Sequence, residues 1–379
     1  MDAKTNLFDR INILTSSLEA NAARNDRVGR IPREQLDDIA SSGILALTVP
    51  RVAGGAGANV EQTVDVLRRL GRADPSAALI LSMHFIQHLI IDRTPGWPKY
   101  LAGKLTDDAL AGKGWINALR VEPELGSPSR GGLPQTIARR DKDGWRLTGH
   151  KIYSTGSTVL DWYLVWARTD EDDVRVGAFL VQAGLPGTKI VETWDHLGLR
   201  ASGSHDIIFE DVRIPHDHAI DLRRPEDWRR PELVAGSLYP LLIGVIYDGI
   251  AQAARNWLVQ FLKTRSPSSL GVPLSTLSRV QEAVGDIEIK LATNDRLIRS
   301  FAQEFDARRT ADPLAAGSVK LAVTSNAIAT VEQALLLTGN HGLSRRNPLE
   351  RHHRDVLCGR IHAPQDDSTR VALGLSALN

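Results

Sequence analysis

Residues 143–155 read Asp-Gly-Trp-Arg-Leu-Thr-Gly-His-Lys-Ile-Tyr-Ser-Thr, and this stretch decides the class of the fold. Asp143-Gly144 is the strongest short-range hairpin signal in the chain, because both residue types accept the positive φ of a tight turn. Trp145 to Tyr153 supplies one arm of that hairpin and Thr136 to Arg140 the other. The texture extends on both sides. From residue 113 to 220, short runs rich in Ile, Val, Tyr and Trp alternate with Gly, Pro and Asp roughly every ten residues, the spacing of a β sandwich or barrel. Trp162 to Arg168, Val174 to Val181 and Asp206 to Val212 are further strand candidates, and Pro215, Pro225 and Pro231, mixed with charges, read as a linker out.

Toward the N terminus the period becomes helical. Pro32, the apolar beats Leu36, Ile39 and Ala40, and Gly43 as a stop outline one helix; Val60, Val64, Leu67 and Leu70 mark a second, amphipathic one. Asp74-Pro75 is an N-cap followed by proline at N1, and the helix it opens is apolar nearly all round to Ile91, so it belongs in the middle of the molecule. After residue 233, Leu277, Val280, Val284, Ile287, Leu291, Asn294, Ile298 and Phe301 form a bundle seam with one polar member, Asn294. Asp312-Pro313 opens a second long helix to Leu337, rich in small residues that permit close approach. The reading is an α+β multidomain chain: an N-terminal α-helical domain (1–112), a central β-barrel domain (113–220) and a C-terminal four-helix bundle (221–379). Gly54-Gly55-Ala56-Gly57 lacks the spacing and strand-to-helix setting of a dinucleotide loop.

At 379 residues, 42% hydrophobic and 24% charged, the chain can bury a large core. A net charge of +1 gives no bulk attraction for nucleic acid or an anionic membrane. The single cysteine, Cys358, permits no intramolecular disulfide, and the N terminus shows no signal-peptide pattern, so a cytoplasmic location is expected. Ala77 to Ile91, broken by Ser82, His84, Gln87 and His88, falls short of a membrane span and reads as a buried helix.

Five segments in order carry a family likeness: Val49-Pro50 with Gly54 to Gly57; Leu70-Gly71-Arg72-Ala73-Asp74-Pro75-Ser76; Val121-Glu122-Pro123-Glu124-Leu125-Gly126-Ser127; Leu147 to Thr155; and Gly198-Leu199-Arg200-Ala201-Ser202 with Phe209 to Pro215. Together they resemble the acyl-CoA dehydrogenase superfamily of flavoproteins, with Val121 where threonine is usual. The resemblance implies FAD, or FMN supplied reduced, and places Asn117, Ser127, Tyr153, Ser154 and Thr155 at the flavin, with Thr155 facing N5 and Tyr153 as an aromatic wall. It also implies Arg265 and the Gly339-Asn340 turn as contacts to a flavin across a subunit interface, hence a homotetramer or homodimer. The Arg265 segment is two residues longer than the family's and lacks its phenylalanine. Read without the resemblance, Tyr153 and Thr155 are ordinary strand residues, Arg265 a surface arginine and Gly339 a helix stop.

The family's usual glutamate base falls on Ala363 in Arg360-Ile361-His362-Ala363-Pro364-Gln365, and the second location used by some relatives falls on Tyr239. What the chain offers instead is His84 and His362, which resemble histidines of the flavin monooxygenase branch, the dibenzothiophene monooxygenase-like enzymes. That branch uses a reduced-flavin C4a-(hydro)peroxide, a dry pocket and a proton donor, a role suited to histidine. The resemblance therefore implies a monooxygenase acting on a small organic substrate, served by a flavin reductase partner. Two alternatives stay open: an acyl-CoA dehydrogenase with a displaced base, Asp366 or Asp367, and a non-catalytic scaffold. Asp366 and Asp367 also read as an N-cap of the last helix, and His84 as a satisfied core histidine. His84 and His88 share a helix face, but no third ligand completes a metal site, and no Ser stands on a nucleophile elbow. His352-His353 and His216-x-His218 read as solvated.

Overall fold

The computed structural model describes residues 7–94, 96–125, 132–229, 232–308 and 312–379. Its N-terminal part comprises α1 (Leu7–Val28), α2 (Arg33–Ser41), α3 (Val60–Ala73), α4 (Pro75–Ile90) and α5 (Lys99–Leu110). Asn59 and Gln62 close a capping box on α3. The Asp74 carboxylate accepts from Ser76 N at 2.9 Å and Ala77 N at 3.1 Å, so α4 starts where the Asp-Pro pair demands. With apolar residues on every side, α4 is buried along most of its length against α3, a C-terminal helix and the sheet.

The sheet is mixed: β1 (Ile116–Leu119), β2 (Ile137–Asp141), β3 (Gly144–Ser154), β4 (Trp162–Thr169), β5 (Val176–Gln182), β6 (Thr188–Val191), β7 (His205–Ile214) and β8 (Ala219–Arg223). The path runs β6-β7-β3-β2-β4-β5-β8, and β1 lies parallel to β4. The expected hairpin forms with Asp141 opposite Gly144, where a Cβ would stand 2.0 Å from the Ile214 carbonyl oxygen, leaving room for glycine alone. The expected linker is corrected in its first half. Ala219–Arg223 pairs antiparallel with β5 and buries Ile220.

The C-terminal part holds α6 (Leu233–Thr264), α7 (Ser278–Arg308), α8 (Pro313–Thr338), α9 (Asn340–Leu343), α10 (Leu349–Leu357) and α11 (Asp366–Leu378). In the α7 seam Asn294 is fully buried and satisfied: its amide donates to Asp248 Oδ1 at 3.1 Å and the Val323 carbonyl at 3.2 Å, and its oxygen accepts from Asn326. By length and composition α6 and α8 could cross a membrane, and 78% of the most apolar stretch of α6 is buried inside the fold. One apolar core runs from Ile11 in α1 through α4 and the sheet to Val356 in α10. The reading of Asp366 and Asp367 as an N-cap is corrected: they form the first turn of α11, and Gln365 holds the cap position.

Candidate functional site

The C-terminal end of β3 departs from regular pairing. Register against β7 shifts between Lys151 and Ser154, and Tyr153 takes φ 56°, a left-handed conformation costly for a bulky side chain. The bulge turns the Tyr153 ring outward, 53% exposed, edge-on to Trp194 at 6.3 Å and His196 at 5.9 Å. Those two rings stack at 3.7 Å. Just past the strand, Thr155 Oγ1 lies 3.0 Å from Ser204 Oγ, which lies 2.8 Å from Ser202 Oγ. Asn117 on β1 donates its amide to the Thr155 carbonyl at 3.1 Å, while Asn117 Oδ1 and Ser154 Oγ are buried without partners. An exposed aromatic plane beside unsatisfied polar atoms is what a flat ring with donors and acceptors on its edge requires. The residues fit a flavin. Ser127 lies outside the described residues.

Beneath this edge two of the motif segments meet. Lys151 Nζ donates to Glu122 Oε1 at 2.6 Å and to the Trp166 carbonyl at 2.5 Å, and Glu122 also accepts from Gln135 N and Thr136. Burial pushes Lys151 down to about 8 against the pull of Glu122. For Glu122, burial acts upward but Lys151 and the hydrogen bonds outweigh it, holding the carboxyl below its ordinary value. This pair fixes the strand that carries Tyr153.

His84 is completely buried on α4. Its Nε2 lies 2.9 Å from the Leu45 carbonyl, an acceptor, so that nitrogen carries the hydrogen and Nδ1, without partner, is an acceptor. The ring packs 4.6 Å from His88 and 6.0 Å from Trp115, which leads into β1 and Asn117. Burial lowers His84 to about 4 and, helped by His84, takes His88 well below its ordinary value. His88 Nε2 is likewise buried and unpartnered. His362 lies elsewhere: its Nδ1 is 2.5 Å from the Tyr247 hydroxyl on α6, and burial, then Lys320, lowers it to about 4. No hydrogen bond or ring contact joins His362 to His84 or Thr155 among the described residues.

The carboxylates considered as bases are engaged. Asp366 Oδ1 lies 3.4 Å from the buried Lys320, which also donates to the Pro364 carbonyl. Asp367 accepts from Ser368 N at 2.8 Å. At the second location, the Tyr239 hydroxyl accepts from Gln87 at 2.7 Å. Nearby, Glu232 is held by both Arg120 terminal nitrogens at 2.6 and 3.2 Å, and Arg120 sits 4.7 Å over the Trp166 ring. Sequence reading missed Arg120, Glu232, Ser204 and Tyr247; Ser204, beside the Gly198–Ser202 motif, and Arg120, just before the Val121–Ser127 motif, lay close to recognised signals.

Arg265 is exposed at the end of α6, its N–H bonded to the Phe261 carbonyl, and the Phe261 ring meets His341 at 5.2 Å. Arg265, Gly339 and Asn340 thus share one end of the α6–α8 pair. The expectation that His352 is solvated is corrected. It is 4% exposed, because Leu349, His352 and Val356 form the inward face of α10, and burial with Arg351 lowers it to about 3. No group of three His, Cys, Asp or Glu side chains that could hold a metal occurs among the described residues.

Family models described as acyl-CoA dehydrogenase N-terminal, middle and C-terminal domains match residues 12–93, 120–212 and 241–366. The putative acyl-CoA dehydrogenase YdbM of Bacillus subtilis (strain 168) is 33% identical over 99% of this chain and 97% of that protein. The amino sugar nitrososynthase DnmZ of Streptomyces peucetius is 29% identical over 97% of this chain and 93% of that one. The structure of KijD3 in complex with FMN and a dTDP-linked 3-amino-4-keto sugar superposes with a TM-score of 0.87 at 27% identity, covering 98% and 93% of the two chains.

Proposed function

This chain belongs to the acyl-CoA dehydrogenase family of flavoprotein oxidoreductases, and from that premise we propose that it is a flavin-dependent monooxygenase acting on a small organic substrate, a nitrogen nucleophile before others. The observation that carries the reading is the state of the candidate bases. The family resemblance puts Ala363 at the usual glutamate position, Asp366 is bound to Lys320, and Glu232 is bound bidentately to Arg120. A carboxylate held by a cation in this way is a poor acceptor for a carbon-bound proton. The nitrososynthase neighbours support the same direction.

Bound flavin, once reduced, supplies the activation of dioxygen. Tyr153 offers the face against which its ring lies, Thr155 and Ser204 offer hydroxyls, and Asn117 Oδ1 and Ser154 Oγ offer an acceptor and a donor. Burial keeps His84 neutral near pH 7, and its Nδ1, an acceptor without a partner, can orient a substrate N–H by a hydrogen bond without taking its proton. His362 is tied through Nδ1 to the Tyr247 hydroxyl, and burial together with Lys320 keeps its ring neutral near pH 7. FAD or FMN, a homo-oligomer and a separate flavin reductase complete the proposal.

Anaerobic addition of short and medium acyl-CoA thioesters to the flavin-loaded protein should leave the visible flavin band intact. Reduced flavin with an amine substrate and labelled dioxygen should place one labelled oxygen in the product. Bleaching by an acyl-CoA without oxygen would show a dehydrogenase and end the monooxygenase reading.

A further inference from the structure

The loop from Trp194 to Ser204 carries three of the groups at the candidate flavin edge. Trp194 and His196 flank Tyr153, and Ser204 meets Thr155. At its centre Leu199 takes φ 50° and ψ 36°, a left-handed conformation that is unfavourable for leucine and persists only where neighbours hold it. The bonds that hold it lead in two directions. Its N–H donates to Asp355 Oδ1 on α10 at 2.7 Å, and its carbonyl accepts from the Trp194 indole N–H at 3.1 Å and from Ser202 N at 3.0 Å. Asp355 is thus joined through one strained residue to both sides of that edge.

Asp355 is 3% exposed and shares a void of about 10 Å³ with two more carboxylates, Asp26 of α1 and Asp74 at the head of α4, and with Arg351. Ala201 lines the same void from the loop side, so lifting the loop would admit water to Asp355. Three carboxylates around so small a space cannot all ionise cheaply. Asp26 is held through both oxygens by Arg354, and Asp74 accepts from Ser76 N, Ala77 N and the Asn25 amide. Asp355 has one hydrogen-bond donor, Leu199 N, among the described residues, so the proton settles there. Burial and Asp26 raise its carboxyl to about 7 against the downward pull of the Leu199 N–H, Arg351 and Arg354. The Cys358 thiol, just past α10, faces the same carboxyl and is pushed up to about 12 by burial and Asp355, so it stays neutral. The closed loop therefore keeps a proton that a wetted Asp355, near its ordinary 3.8, would lose, and by linkage rising pH favours the open form.

On the reading that flavin lies against Tyr153 and Thr155, we propose that Asp355 is a proton-operated latch on the loop from residue 194 to 204. Protonated, Asp355 stays buried and the loop stays closed over the flavin edge. Ionised, it draws in water, Leu199 leaves its left-handed conformation, and Trp194 and Ser202 move off with it, opening the path by which flavin leaves.

Full-length, FAD-loaded protein is followed from about pH 5 to about pH 8.5 by deuterium exchange at the Leu199 amide, corrected for the intrinsic pH dependence of exchange, and by the rate of FAD release. Between about pH 5 and about pH 7 the wild type should lose protection and gain release rate by up to about tenfold per pH unit, the slope of one proton, and both should level off above about pH 7.5. Asp355→Asn is neutral at the same size, so it should stay protected at every pH and release FAD about tenfold or more slower than wild type at about pH 8. The buried histidines His84, His352 and His362 are common to both proteins and cancel in the comparison. A flat wild-type profile, protection that rises with pH, or an Asp355→Asn variant that keeps the wild-type slope would each overturn the latch, and the wild-type profile decides by itself where the variant does not fold. Protection that follows pH with a release rate that does not would overturn the gating of flavin. If Tyr153→Ala then binds FAD as tightly as wild type, the fault lies in the flavin placement; if it binds more weakly, the placement stands and the latch alone fails.

Discussion

Lys151 and Glu122 show what single residues contribute beneath the candidate site. Both are almost wholly buried, and each is the other's main charge partner. Removing one side of such a pair leaves an uncompensated charge, so Lys151→Met should lower the unfolding free energy by about 3–5 kcal/mol in urea titrations. Adding Glu122→Gln should recover a large part of that loss; an unchanged or deeper deficit would mean the lysine acts through packing instead. Both residues were legible as motif letters, but not as a pair, because 29 positions separate them and only the sheet brings them together. His352 makes a second test at this scale. Its folded-state value near 3 lies below the ordinary 6.5, so its neutral form is favoured, and the stability it permits is present above pH 6.5 and lost as pH falls toward 3. Relative to His352→Gln, the wild type should lose about 1.4 kcal/mol per pH unit below about pH 6. Parallel stability profiles of the two proteins would contradict the buried, neutral imidazole.

Among the elements, the helices and long strands were readable because their signals are local. Asp74-Pro75 places α4, and the spacing from Val280 to Phe301 places the α7 seam. β1, β6 and β8 escaped because four or five residues are too few for alternation to stand out, and β8 lies between prolines. The end of β3 was readable only through family resemblance: a bulge and a left-handed tyrosine are set by pairing with β7, which no window of β3 contains. α4 offers the test at this scale, since its start rests on one carboxylate and its interior carries His84. Asp74→Ala should cost about 1–2 kcal/mol of stability, and Asp74→Asn, which keeps an acceptor for the cap, should restore much of it. Equal losses in the two variants would show that Asp74 matters through its bond with Asn25 rather than through the cap.

For the whole molecule, the three parts are joined at one cluster of charge and backbone. Arg354 on α10 holds Asp26 on α1 through both terminal nitrogens, at 2.9 and 2.6 Å, and donates to the Leu197 carbonyl at 3.1 Å. Its neighbour Asp355 accepts from Leu199 N at 2.7 Å, and burial pushes that carboxyl up to about 7. At Gly198 a Cβ would come 2.3 Å from the Arg354 carbonyl oxygen, so the loop presses directly onto α10. One helix thereby clamps the N-terminal helices and the sheet at the same point, beside the loop whose Trp194 and His196 flank Tyr153. The sequence showed Arg354-Asp355 only as charges in a polar run, since nothing local reveals that their partners lie on two other domains. Arg354→Met leaves Asp26 and Glu350 without their cation and should destabilise the protein by about 3–5 kcal/mol. The loss should also divide the molecule: unfolding followed by far-ultraviolet dichroism and by tryptophan fluorescence should coincide in the wild type and separate in the variant. Most tryptophans report on the sheet region, whereas dichroism reports mainly on the helices, so coincident curves in the variant would show that the continuous apolar core alone makes the three parts cooperate.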